Sequence, residues 1–186
     1  MDINLKFNKV VVTLLTAIFT ATVLAAGTEN FKVVSLPTKY EIESYAYAVS
    51  ADGSVVVGLS ASDRGDEGEE AFRWQNGQMI ALEALPKGTG YCCARGVSAD
   101  GSVIVGESTC DTGIQAFIWQ NRTMVGLGSL TEGWEDDSYA TAVLRHGKVV
   151  VGYSYTSYGN KAFRWEDGKM TSLGDIVDRE DKGIYC

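Results

Sequence analysis

Ten residues, Val49 to Gly58, constrain this chain more than any other stretch, because they come back. The run Val-Ser-Ala-Asp-Gly-Ser-Val-Val-Val-Gly returns as Val97–Gly106 with one change, Ile104 in place of Val. A worn third copy, Val143–Gly152, keeps the turn glycine Gly147 and the closing Val149-Val150-Val151-Gly152. The copies start 48 and then 46 residues apart. A self-similar period of that size signals a repeat architecture, in which one supersecondary unit stacks on the next.

Two further pieces recur in step. Ala-Phe-x-Trp stands at 71–74, 116–119 and 162–165, and Met-led β-like runs start at Met79, Met124 and Met170. Each unit therefore reads as four strands, which in the first copy are Tyr45–Ser50, Ser54–Ser60, Ala71–Gln75 and Gln78–Leu82. The turns agree. Ala-Asp-Gly between the first two strands places Gly where the chain must turn left-handed. Asn76-Gly77 and Asp167-Gly168 are favoured pairs for a two-residue type I′ turn. Asn121-Arg122 puts a non-glycine residue at the same place, at a cost of about 1 kcal/mol. Within Ala-Phe-Arg-Trp, Phe72 and Trp74 share a face and are expected to pack between units.

Four antiparallel strands per unit make an all-β fold of β-propeller-like blades, with a parallel solenoid ranked second. The units span approximately 31–77, 78–121 and 122–168, with a partial unit at 169–186. Phe31–Leu36 resembles a fourth strand with no partners before it, and Gly183–Cys186 resembles Thr89–Cys92, which leads into a first strand. The expectation is three complete units plus partial first and last ones. The ring is then open, completed by a second copy as a homodimer, or cut from a longer reading frame.

The chain begins with Lys6 and Lys9, an apolar run from Val10 to Leu24, and the small residues Ala25, Ala26 and Gly27. The run is shorter than the ~20 residues a spanning helix needs. Residues 1–26 read as a signal peptide and 27–186 as the repeat domain, exported to the periplasm, cell surface or medium. No later run is long enough to span a membrane. A hydrophobic fraction of 45% with a net charge of −8 describes a folded, acidic protein that repels phosphate backbones, which excludes nucleic acid as a partner.

Four cysteines in an exported chain suggest disulfides. With Ser98 opposite Ser102 across the turn, Cys92 falls opposite Ser108, and Cys110 lies one diagonal step away on the same side. A Cys92–Cys110 bridge is the expected pairing. Cys93 points to the other side, and the partners of Cys93 and Cys186 stay open.

Strand order puts the tight turns on one face and the long variable loops on the other, where a rigid scaffold places binding. That face carries the candidate binding residues Tyr40, Asp63, Asp66, Glu67, Tyr91, Trp134, Asp136, Asp137, Tyr155 and Tyr158. Its aromatics suit an extracellular protein or glycan partner. Its carboxylates read as a solvated surface, with calcium the alternative, although no ordered Asp-x-Asp-x-Asp-Gly loop is present. No cofactor is expected. The single histidine, His146, sits on the opposite face at a turn, which gives a Ser-His-Asp or Cys-His site no support. Phosphate-loop, Cys-x-x-Cys and His-Glu-x-x-His patterns are absent from the sequence. The reading is a non-enzymatic binding scaffold. The alternatives are a polysaccharide-active propeller enzyme using two loop carboxylates, or a remnant of a longer protein.

Taken together, Ala-Phe-x-Trp, Asn/Asp-Gly-x-Met, Leu-Gly-x-Leu and the Val49–Gly58 hairpin resemble the HAF-type extracellular repeat of secreted bacterial proteins, over most of residues 31–176. The resemblance implies an exported or autotransporter-like repeat protein and says little about chemistry. The histidine of that family's His-Ala-Phe triplet is replaced here by Glu70, Gln115 and Lys161.

Overall fold

The computed structural model describes residues 20–21, 34–35, 43–61, 68–131 and 137–174. Three four-stranded antiparallel sheets account for nearly all of it. Sheet I holds β3 (Ser44–Val49), β4 (Val55–Ala61), β5 (Glu69–Gln75) and β6 (Gln78–Ala81). Sheet II holds β7 (Cys92–Val97), β8 (Val103–Cys110), β9 (Gly113–Gln120) and β10 (Thr123–Gly126). Sheet III holds β11 (Ser138–Val143), β12 (Val149–Thr156), β13 (Gly159–Glu166) and β14 (Lys169–Ser172). Each runs first to fourth strand in order, as the repeat requires. The piece expected to be a lone fourth strand contributes only β2 (Val34–Ser35), which pairs with β1 (Thr20–Ala21). The rest of the leader and of residues 175–186 lies outside the described residues.

The turns take the shapes their residues dictate. Asn76, Asn121 and Asp167 sit at φ near 50°, each followed by a second left-handed residue, Gly77, Arg122 (φ 62°) or Gly168. The first hairpin loop is closed by side chains. Ser50 Oγ accepts from Val55 N at 3.0 Å and donates to Asp52 Oδ1 at 2.6 Å, and Asp52 Oδ1 accepts from Ser54 N. Ser98, Asp100 and Ser102 repeat this bond for bond. In the third unit His146 (φ 62°) and Gly147 (φ 72°) turn the chain without that network.

The register at the turn differs from the sequence expectation. Ser98 N bonds Val103 O, so the loop is one residue longer than a Ser98–Ser102 pairing implies. A bulge at Arg95 takes up the extra residue and restores Cys92 opposite Ser108. The same bulge falls at Tyr47 in sheet I and at Thr141 in sheet III. A bulge re-aims one side chain and sharpens the strand's twist. It leaves no pattern that alternation could reveal.

The core lies between sheets. Val55, Val57 and Ala71 of sheet I pack on Cys92, Ala94, Ile104 and Phe117 of sheet II. Val105 and Ala116 of sheet II pack on Ala140, Val150 and Phe163 of sheet III. Phe72, Phe117 and Phe163 are fully buried, each contributing about 2–3 kcal/mol by area. As expected of this row, Phe117 with Trp119 and Phe163 with Trp165 face the preceding unit, whereas Phe72 and Trp74 cluster with Val56 and Met79 of their own sheet. Serines tie the units together: Ser138 Oγ accepts from Ala116 N between sheets III and II, and Ser154 Oγ accepts from Leu130 N of the segment that connects them. The glycine that ends each Val run fits because no Cβ would. A side chain on Gly58, Gly106 or Gly152 would collide with the carbonyl oxygen of Tyr45, Cys93 or Tyr139.

Candidate functional site

The first strands β3, β7 and β11 are the inner ones. The middle strand β7 touches both of the others, and Gly96 sits against the Thr141 carbonyl. The bulge falls at the same place on three neighbouring inner strands, at Tyr47, Arg95 and Thr141, and it brings Arg95 over the Tyr47 ring. Alternation along a regular strand would not have brought it there.

Arg95 is held in place from below. Its Nη2 donates to Glu107 Oε1 at 2.7 Å, and its Nε donates to the same oxygen at 2.9 Å and to Oε2 at 3.2 Å. Tyr91 OH also donates to Glu107 Oε1, at 3.1 Å. Glu107 itself is 0% exposed, on the side of sheet II that faces sheet III. The Arg95 side chain is 40% exposed, and its guanidinium carbon lies 4.9 Å from the centre of the Tyr47 ring. The bonds to Glu107 raise the Arg95 pKa further. Burial, reinforced by the Glu107 charge, raises the Tyr91 hydroxyl and pushes the Cys93 thiol up to about 12. The corresponding place to Glu107 is Leu59 in sheet I and Tyr153 in sheet III. The polar cluster belongs to the middle unit.

A second group lies beside it on sheet III. Tyr139 and Tyr153 stack with centroids 4.8 Å apart, and Tyr139 OH donates to Asp137 Oδ2 at 3.3 Å. Burial, then Asp137, pushes the Tyr139 hydroxyl up to about 12. Asp137 Oδ1 also accepts from Ile114 N at 2.8 Å. Tyr153 and Tyr155 are exposed on the outward face of this sheet with Ala162. In sheet II the matching Glu107 and Ala116 are buried and Thr109 is half-buried.

Of the residues expected to bind, Tyr91, Asp137, Tyr155 and Tyr158 are described. All four lie at the loop ends of their strands. The structure joins Tyr91 to Arg95 through Glu107, and joins Asp137 to Tyr155 by a backbone bond, Tyr155 N to Asp137 O at 2.7 Å. Tyr158 projects alone at 87% exposure. Tyr40, Asp63, Asp66, Glu67, Trp134 and Asp136 lie outside the described residues. Among the described residues no three His, Cys, Asp or Glu gather as metal ligands, and no helix is long and apolar enough to cross a membrane. His146 Nδ1 lies 3.2 Å from Asp100 Oδ2, between two turns of the other face.

The cysteine expectation needs correcting in one respect. Cys92 does face Ser108 and shares a side of the sheet with Cys110, but Cys92, Cys93 and Cys110 are all free thiols. Diagonal neighbours on adjacent strands stand ~7–8 Å apart, beyond the ~6.8 Å between Cα atoms that a disulfide spans.

Residues that sequence reasoning passed over carry most of this site. Tyr47, Arg95, Glu107 and Tyr139 all sit inside strands, whereas the search looked to loops. Glu107 carried a signal: a charge at a position that is Leu59 one repeat earlier.

Among solved structures, the chain is similar to TolB from Acinetobacter baumannii, with a TM-score of 0.55 at 12% identity over 87% of this chain and 39% of that one. It is similar also to the β-propeller domain of the Trilobed protease from Pyrococcus furiosus, with a TM-score of 0.53 at 14% identity over 94% of this chain and 48% of that one. The fold is that of a β-propeller. The three sheets are its blades, β3, β7 and β11 are the inner strands, and the bulge residues line the propeller axis. The chain spans less than half the length of either of those chains. No protein-family profile matches the sequence, and no curated protein sequence does.

Proposed function

We propose that this chain is an exported, non-enzymatic repeat protein of the HAF-like kind, whose three blades hold a ligand at the loop end of the inner strands. The observation that carries the reading is the Arg95–Glu107 pair. A buried charge costs several kcal/mol unless it is paired, and a leucine serves the same structural place in blade I. An ion pair there holds an arginine beside an exposed tyrosine at the axis, which is what recognition needs and packing does not. The ligand is an extracellular glycan or protein. A glycan array followed by product analysis tests the reading: retention without cleavage is the expected result, and cleavage would establish the polysaccharide-active alternative instead.

We infer a second copy as the partner that covers the outward face of blade III, because the matching faces of blades I and II are covered by the next blade. Light scattering on the exported protein checks this. A dimer at micromolar concentration is expected, and a monomer at every concentration overturns it.

A further inference from the structure

The geometry points to a carboxylate-bearing sugar, a uronic acid residue of an acidic polysaccharide, as the ligand of the axial site. This rests on the binding-scaffold reading above and names its substrate class.

The argument starts from the two forks of a guanidinium. One is formed by Nε with a terminal nitrogen, the other by the two terminal nitrogens end-on. Glu107 occupies the first, through Nε and Nη2. Nη1 has no hydrogen-bond partner among the described residues, so the end-on fork of Nη1 and the second Nη2 proton is unused. Two parallel N–H donors match the two oxygens of a planar carboxylate. Glu107 also stops the arginine from swinging, so its orientation is set before a ligand arrives and little entropy is lost on binding.

The surroundings select the rest of the ligand. Tyr47 is 43% exposed, with Arg95 against its ring, and it offers an apolar body with a polar tip. Thr141, from the third bulge, is exposed and adds a hydroxyl, which donates to Val151 O at 3.3 Å. A pyranose ring, with a C–H face for Tyr47, hydroxyls for Thr141 and one carboxylate for Arg95, answers all three groups. Of the nearby acids, Glu43 accepts from Tyr45 OH and Asp137 accepts from Ile114 N and Tyr139 OH, while Glu69 stands exposed within electrostatic reach of Tyr47. In a chain of net charge −8, a single fixed anion per sugar is tolerated only where such a fork receives it.

Calorimetric titration of the full exported chain with a galacturonate oligosaccharide, its methyl-esterified form and a sulfated oligosaccharide tests the proposal. The free uronate is expected to bind, with esterification or Arg95→Lys weakening it about tenfold or more, because a lysine keeps the charge and loses the fork. Tyr47→Leu, which touches no core, is expected to weaken it as well. Should Arg95→Lys unfold the chain, the Tyr47→Leu and ester results decide alone. Equal binding of the ester, or preference for the sulfated sugar, overturns the uronate assignment while leaving a glycan-binding scaffold. Binding of no sugar overturns the assignment, and retention of a protein ligand would then leave the scaffold standing.

Discussion

Arg95 and Glu107 face each other across β7 and β8, with Nη2 2.7 Å from Oε1, and the carboxylate has no exposure at all. Such a pair is asymmetric in what its loss costs. Arg95→Ala strands a buried carboxylate and is expected to destabilise by about 3 kcal/mol, discounted from the fully buried case because the arginine is partly exposed. Glu107→Leu installs the residue that blade I carries at this place and is expected to cost less. Urea unfolding of the two variants checks the order; a larger cost for Glu107→Leu would mean that the pair is a net source of stability.

Arg122 occupies the second place of a type I′ turn at φ 62°, where its Cβ is crowded. Arg122→Gly is expected to raise stability by ~1 kcal/mol, discounted somewhat for the freer unfolded chain. A thermal melt decides it, and an unchanged or lower midpoint contradicts the turn.

Acid stability should trace to two aspartates. The Ser50 hydroxyl and the Ser54 amide lower the Asp52 pKa from 3.8 to about 2, and Ser98 with Ser102 lowers that of Asp100 in the same way. A depressed folded-state pKa means stability that is present above the unfolded value and lost as pH falls through the folded one. Melting midpoints should therefore drop between pH 4 and 2. The double variant Asp52→Asn, Asp100→Asn should melt lower at pH 7 and lose less on acidification. An equal acid loss in the variant would assign the effect elsewhere.

Thiol chemistry should separate the cysteines. Burial pushes Cys92 and Cys93 up to about 12, whereas Cys110 is half-buried near the Thr112 hydroxyl. Brief alkylation of the native protein is expected to label Cys110 and spare the other two. Labelling of Cys93 first, or a Cys92–Cys110 bridge in a peptide map, would contradict the structure.

The blades were legible because each rests on local chemistry repeated three times. Asn-Gly and Asp-Gly specify turns, Val runs specify buried strands, and Phe with Trp at a spacing of two specifies one face. The axial site was not legible for an equally physical reason. It depends on a bulge at Tyr47, Arg95 and Thr141, and a bulge has no residue signature; the turn-based register placed Cys92 correctly only because a longer loop and the bulge cancel. Tyr91 and Asp137 were found from their position before the first strand, and their partners Glu107 and Tyr139 were missed inside strands.

The central claim is that binding takes place at the loop end of the inner strands. Hydrogen–deuterium exchange with and without the retained glycan tests it most directly. Added protection is expected in residues 43–47, 91–95 and 137–141. Protection confined to the tight turns at 51–53, 99–101 and 145–147 would place the ligand on the opposite face and contradict the account.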